Sequence, residues 1–152
     1  DYNAFARYNS KDSRFSANGS LSGSNTGLET ISLGSTYTPN DNSRYSASYS
    51  HNFDTRRHSL DLMGQQKFGD VTLRGSHQMQ YGGNQGLQST SSVLGAYRMN
   101  NDLSLIAGAE YHHDQDGGSF RPQAGIQYKE IPIVITYDPE ERSASVGLVL
   151  RF

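Results

Sequence analysis

Apolar and polar residues alternate with period two along most of this 152-residue chain, and no other feature limits its fold so tightly. In an extended strand successive side chains point to opposite faces, so the alternation predicts strands with one apolar and one wet face. Phe120, Pro122, Ala124, Ile126 and Tyr128 share one parity, and Arg121, Gln123, Gly125, Gln127 and Lys129 the other. Leu103, Leu105, Ala107, Ala109 and Tyr111 oppose Ser104, Gly108, Glu110 and His112, with Ile106 the one misfit. Tyr45, Ala47, Tyr49, His51 and Phe53 oppose Arg44, Ser46, Ser48 and Ser50. At the C-terminus Ala144, Val146, Leu148, Leu150 and Phe152 alternate with Ser145, Gly147, Val149 and Arg151. No stretch has helical period.

The pattern divides into strands near 1–9, 13–23, 29–38, 43–53, 58–68, 71–81, 90–99, 103–113, 118–129, 132–138 and 143–152. Connections at Lys11-Asp12, Asn40-Asp41-Asn42, Gly69-Asp70, Asn100-Asn101-Asp102 and Glu130-Ile131 read as tight. Those at 24–28, 54–57, 82–88, 114–118 and 138–142 read as longer or more charged. Residues 1–152 form a single domain by size, with no internal boundary. Hydrophobic residues make up 34% of the chain, too few for a generous soluble core, so disorder is the competing class. Ten Tyr, six Phe and the regular turn signals argue against it. No run of about 18 apolar residues predicts a transmembrane helix. With no Cys, disulfides, thiol catalysis and Cys-based metal sites are excluded. Asp1-Tyr2-Asn3 reads as a mature or truncated start rather than a signal peptide.

A soluble sandwich also alternates, because its apolar face meets a second sheet. It gives no reason for the aromatics to fall where they do. Tyr8, Phe15, Tyr37, Tyr45, Phe68, Tyr97, Tyr128 and Phe152 lie at the short-turn ends of their apolar faces. Tyr2, Phe53, Tyr81, Tyr111, Phe120 and Tyr137 lie at the loop ends, with small and aliphatic residues between. Two aromatic girdles around an apolar band are what a bilayer selects, since amphipathic rings prefer the headgroup zone.

On the wet face, Arg7, Arg14, Arg44, Lys67, Arg74, Arg98, Lys129 and Arg151 all fall near the short-turn end. Inward acids are few, Asp61 and Glu110. A basic collar follows: an electrostatic funnel for anions or acidic oligosaccharides, or strand-end cations that snorkel and complement turn carboxylates. The loops carry Asp54, Asp114, Asp116, Asp138, Glu140 and Glu141, as solvated tips or as bridges through divalent cations to lipopolysaccharide. Catalysis is poorly supported: His77 faces outward by parity, with no Ser at matching height, and reads as an interfacial histidine. In His112-His113-Asp114 the two adjacent imidazoles point to opposite faces, which argues against a metal site. No phosphate-binding glycine motif and no basic, aromatic-studded surface for nucleic acid is present.

The ending polar-x-Gly-x-x-apolar-x-aromatic, carried by Gly147, Leu150 and Phe152, resembles the C-terminal assembly signal of Gram-negative outer-membrane β-barrel proteins. The motif covers the last eight residues; the strand pattern covers the chain. The resemblance implies an all-β, antiparallel up-and-down transmembrane barrel of about 10–12 strands. It also implies outer-membrane localisation, lipid and lipopolysaccharide around the barrel, insertion by the barrel-assembly machinery, and no cofactor. Such barrels have even strand numbers with both ends periplasmic, so eleven strands leave two readings open. Either one strand is miscounted, or the chain is part of a longer barrel or closes with strands of another chain. The expected function is a pore for polar, anionic or saccharide-like solutes rather than an enzyme. A membrane anchor or scaffold for a partner or N-terminal domain is the alternative, with a lipid-modifying enzyme third.

Overall fold

The computed structural model describes residues 1–83, 86–129, 131–139 and 141–148. Leu150, Arg151 and Phe152, the last of the basic positions and two of the three assembly-signal positions, lie outside the described residues. Eleven strands follow one another: β1 (Tyr2–Asn9), β2 (Phe15–Ser24), β3 (Gly27–Asn40), β4 (Ser43–Asn52), β5 (Arg57–Phe68) and β6 (Val71–Gly82), then β7 (Gln88–Arg98), β8 (Leu103–Asp114), β9 (Gly117–Tyr128), β10 (Ile131–Asp138) and β11 (Ser143–Leu148). Each pairs antiparallel with its sequence neighbours in a single sheet of order β1 to β11. The sheet is not closed: β1 and β11 are its edges. As an up-and-down chain of odd strand number, it leaves these two edges running in the same direction.

The register sorts side chains into two faces that continue from strand to strand. Phe15, Tyr37 and Tyr45 lie in one row, and Ala107, Ala124 and Ile135 in another. This is the apolar face. The opposite, polar face carries rows such as Arg44, Gln65 and Arg74, or Ser48, Asp61, Gln78 and Thr90. All thirteen girdle aromatics within the described residues lie on the apolar face, each at least 38% exposed. Phe5, on the edge strand β1, is the one Tyr or Phe of the described residues on the polar face, by its pairing with Ser20.

Among the described residues no second layer covers either face. Every strand makes its substantial contacts with its sequence neighbours. The only buried side chains among the described residues are Ile106 and Ser43, so there is no interior core. The sandwich reading fails on this point, because its apolar face would be covered.

We call the end at connections 10–14, 41–42, 69–70, 99–102 and 129–130 basal, and the other apical. The expected contrast between short basal and long apical connections is absent. Two apical connections expected to be long, 25–26 and 115–116, are two-residue hairpins. Each is followed by a glycine with positive φ, Gly27 at 142° and Gly117 at 143°, which lets the strand resume at once. Conversely, basal residues 10–14 make a five-residue turn. Its Ser10 accepts from the Phe15 N–H, and its Asp12 accepts from the Ser10 hydroxyl at 2.6 Å and the Arg14 N–H at 3.2 Å.

Two prolines account for breaks in the ladder. The β3–β4 register shifts between Tyr37 and Asn40, where Pro39 offers no N–H. The β9–β10 ladder ends at Gln123–Thr136, one residue short of Pro122, although β10 runs on to Asp138. There the Arg121 Nε donates to Asp138 Oδ2 at 2.8 Å, joining the two strands by side chains where backbone bonds stop.

Candidate functional site: a cation-rimmed cavity on the polar face

The five described strand positions of the basic collar all sit near basal strand ends on the polar face. Arg7 is opposite Asn18, Lys67 opposite Thr72 and Arg98 opposite Ser104, while Arg44 and Arg74 flank Gln65. Arg14 precedes β2 but continues the ladder, its carbonyl accepting from the Thr38 N–H. Lys129 departs from parity. It follows β9 with φ of 54°, and its Nζ lies 5.5 Å from the Tyr128 ring centroid, towards the apolar face. The girdle tyrosine Tyr45 donates through its hydroxyl to Gln66 Oε1 at 3.0 Å, so its polar tip is satisfied at the basal rim.

Three of these cations, Arg74, Arg98 and Lys129, line one cavity of about 360 Å³ at the basal end of β6–β10. Its rim also carries Asp70 and Asp102 from the turns, with Asn100, Asn101, Gln127, Thr72 and Ser104. Its floor is Leu94, Ala96, Ile106 and Val134, four apolar side chains on a face that is mostly hydroxyl, amide and charge, where Phe5 and Met63 stand apart from them. Ile106, the misfit in the alternation, is 8% exposed and is the most enclosed hydrophobic residue described.

The floor forms because glycines stand beside the large residues. Ala96, Ile106, Gly125 and Val134 are successive partners across β7–β10, and Leu94 is opposite Gly108. A Cβ at Gly125 would collide with the Ile133 carbonyl oxygen and one at Gly108 with that of Val93, so only glycine fits this close approach of strands. The Arg74 Nε donates to Gln65 Oε1 at 2.9 Å, and the Gln127 amide to the Lys129 carbonyl at 2.9 Å. Arg98 makes no ion pair among the described residues. The rim therefore sets Arg74 and Arg98 beside Asp70 and Asp102, with the Lys129 ammonium turned over Tyr128 and the Arg98 guanidinium in no ion pair among the described residues. A second hollow on this face, about 620 Å³ over β2–β6, presents Ser32, Ser46, Ser48, Ser50, Ser76 and Asp61.

The register also reveals pairings that single-strand parity misses. His77 is directly opposite Ser91, and its Nδ1 lies 2.8 Å from Ser91 Oγ. The expectation that no Ser stands at its height is thus overturned, since the partner comes from β7, fourteen residues on. The pair still lacks two parts of a hydrolytic site. No described acid or amide bonds the other imidazole nitrogen, and no oxyanion pocket of free N–H groups adjoins the paired ladder.

On the apical rim of the apolar face His51 and His58 stack at 4.1 Å, Phe53 packs edge-on against His51 at 4.4 Å, and Tyr49 Oη lies 2.8 Å from His58 Nδ1. Their parity was visible in the sequence; their adjacency was not. His112 and His113 diverge as expected: His112 bonds Thr90 and Asp114, at 3.0 and 3.3 Å, while His113 stacks on Tyr111. No group of three or more His, Asp or Glu able to hold a metal occurs among the described residues.

At Gly147, the described part of the assembly-signal motif, a Cβ would meet only the Val134 carbonyl oxygen at an ordinary 3.9 Å, so packing does not demand glycine there. Comparison with family models, with curated proteins and with solved structures finds no match to this chain.

Proposed function

We propose that this chain is part of a Gram-negative outer-membrane β-barrel, that its apolar face meets lipid, and that its polar face lines a water-filled pore for anionic or saccharide-like solutes. The observation that carries this reading is the uncovered single-layer sheet. An antiparallel sheet with one apolar face and no second layer is unfavourable in water, because that face stays hydrated. Lipid offers an apolar cover, and the exposed aromatics at both ends of the band match the headgroup zones. The basal cations, hydroxyl-rich wall and cavity suit a path for polar anions.

Within lipid the two open edges cannot stay unpaired. Because β1 and β11 run in the same direction, antiparallel closure takes one further strand or another odd number. This favours a larger barrel, to which strands beyond these eleven contribute. It also keeps the anchor reading in view, since those strands would link the barrel to whatever they belong to. Assembly through the barrel-assembly machinery, guided by Gly147, Leu150 and Phe152, belongs to the same proposal.

Planar-bilayer conductance of the purified protein tests the pore reading. Single-channel steps with anion-over-cation permeability in a salt gradient are expected. A protein that inserts in bilayers and conducts nothing would make the anchor reading the better one.

A further inference from the structure

We infer that the basal cavity is a subsite for an amphipathic organic anion: a carboxylate held at Arg98, with a short aliphatic or acyl group seated on Ile106 and Val134. The inference rests on the reading of the polar face as a water-lined wall and adds to it the kind of solute that the wall selects.

A path for small inorganic anions needs cations and wet polar groups. It has no use for an apolar floor, which weakens hydration and leaves hydrocarbon facing water. Here the apolar side chains on the polar face, apart from Phe5 on β1 and Met63 on β5, gather in one place. Ile106 and Val134 sit on either side of Gly125 in one cross-strand row, and Leu94 stands over Gly108 in the next. Close backbone approach requires glycine at both positions, which leaves the space beside them to these larger side chains. The patch coincides with the rim where Arg74 and Arg98 stand beside Asp70 and Asp102 and the Arg98 guanidinium makes no ion pair among the described residues. Arg98 ends β7 at the lip, while the floor lies further up β7, β8 and β10. A ligand spanning both presents its charge to the mouth and its hydrocarbon to the wall. With about 360 Å³, the cavity accommodates a carboxylate with a tail of a few carbons.

The test is a titration of the purified protein in micelles with acetate, propionate, butyrate and pentanoate, and with sulfate. It is read from the methyl resonances of Ile106 and Val134. Each added methylene is expected to tighten binding about three- to fourfold, the factor for burying one CH2, until the cavity is full. Sulfate is expected to leave the methyl resonances unshifted. The near-isosteric Val134→Thr, read at Ile106, and Ile106→Ser, read at Val134, should flatten the chain-length series. Arg98→Gln should weaken every acid by about tenfold while preserving the slope. A series with no dependence on chain length, or a slope unmoved by either floor substitution, would overturn the inference and leave the floor as packing alone. The pore reading answers to a different measurement, since anion selectivity for chloride in a bilayer requires nothing of the floor.

Discussion

Asp12 shows how a single side chain can organise a basal turn. Its carboxylate accepts from the Ser10 hydroxyl, which in turn accepts from Phe15, and it also accepts from the Arg14 N–H. These bonds, the Ser10 hydroxyl first, hold its pKa below the ordinary 3.8. A carboxyl with a depressed folded pKa stabilises the fold above its unfolded pKa, and that contribution disappears as pH falls through the folded value. The 10–14 turn should therefore loosen as pH drops below about 3.8, with reduced amide-exchange protection at Arg14 and Phe15. Asp12→Asn should show the reduced protection at neutral pH. Protection that stays flat from pH 6 to pH 2 in the unsubstituted protein would contradict the assignment.

Arg121 and Asp138 act at the same scale but bridge two strands. Asp138 is 13% exposed and Arg121 38%, so the pair is partly screened from water. Because Pro122 lies where the β9–β10 ladder ends, the pair ties the apical part of β10 to β9 beyond the backbone bonds. Arg121→Ala should cost about 1–2 kcal/mol and raise exchange at Thr136 and Tyr137 before other strands respond. A uniform small loss across the sheet would count against this local role.

At the scale of the element, the alternation of the sequence was sufficient to place eleven strands, and the faces drawn from parity agree with the register. Strand ends were less legible. Connections 25–26 and 115–116 are shorter than their polar composition suggests, because Gly27 and Gly117 permit an immediate return. What parity could not supply was which residues of neighbouring strands stand side by side. The His77–Ser91 pair, the His51–His58 stack and the Arg121–Asp138 bridge each need the register of two strands. Ile106 broke the pattern visibly, but its partners Leu94, Ala96 and Val134 are dispersed over forty-one positions.

The element scale also yields a substitution test. Ala107 and Ala124 are exposed partners at mid-band on the apolar face. If that face meets lipid, Arg at either should cost roughly 2–4 kcal/mol, and Gln123→Arg on the polar face much less. Gly108 cannot serve as the second control, because any side chain there strikes the β7 backbone. Equal losses at Ala124 and Gln123, measured by denaturant unfolding in lipid vesicles, would show that the faces do not differ in surroundings. Phe152→Asp should in turn leave the protein unassembled in membranes, and heat-modifiable migration of that variant would sink the assembly-signal reading.

For the whole molecule, the proposed wall of a larger pore builds on a single open layer with two codirectional edges, an uncovered apolar face and cations gathered towards one end. The collar predicts a collective effect. Replacing Arg44, Lys67 and Arg98 together with Gln should lower anion preference, because their fields add in a confined opening. Stability should change little, since wet charges contribute little individually. Selectivity unmoved by the triple substitution would reduce the collar to strand-end cations that complement turn carboxylates.

The central claim, lipid on one face and water on the other, can be measured residue by residue. With no native cysteine, single cysteines introduced along β8 and β9 give unambiguous spin-label positions. In lipid vesicles the account predicts collisions with oxygen at 105, 107, 124 and 126, and with a water-soluble nickel chelate at 104, 123 and 127, in strict period two. Labels at 107 and 124 that meet the nickel chelate as freely as those at 104 and 123 would contradict it.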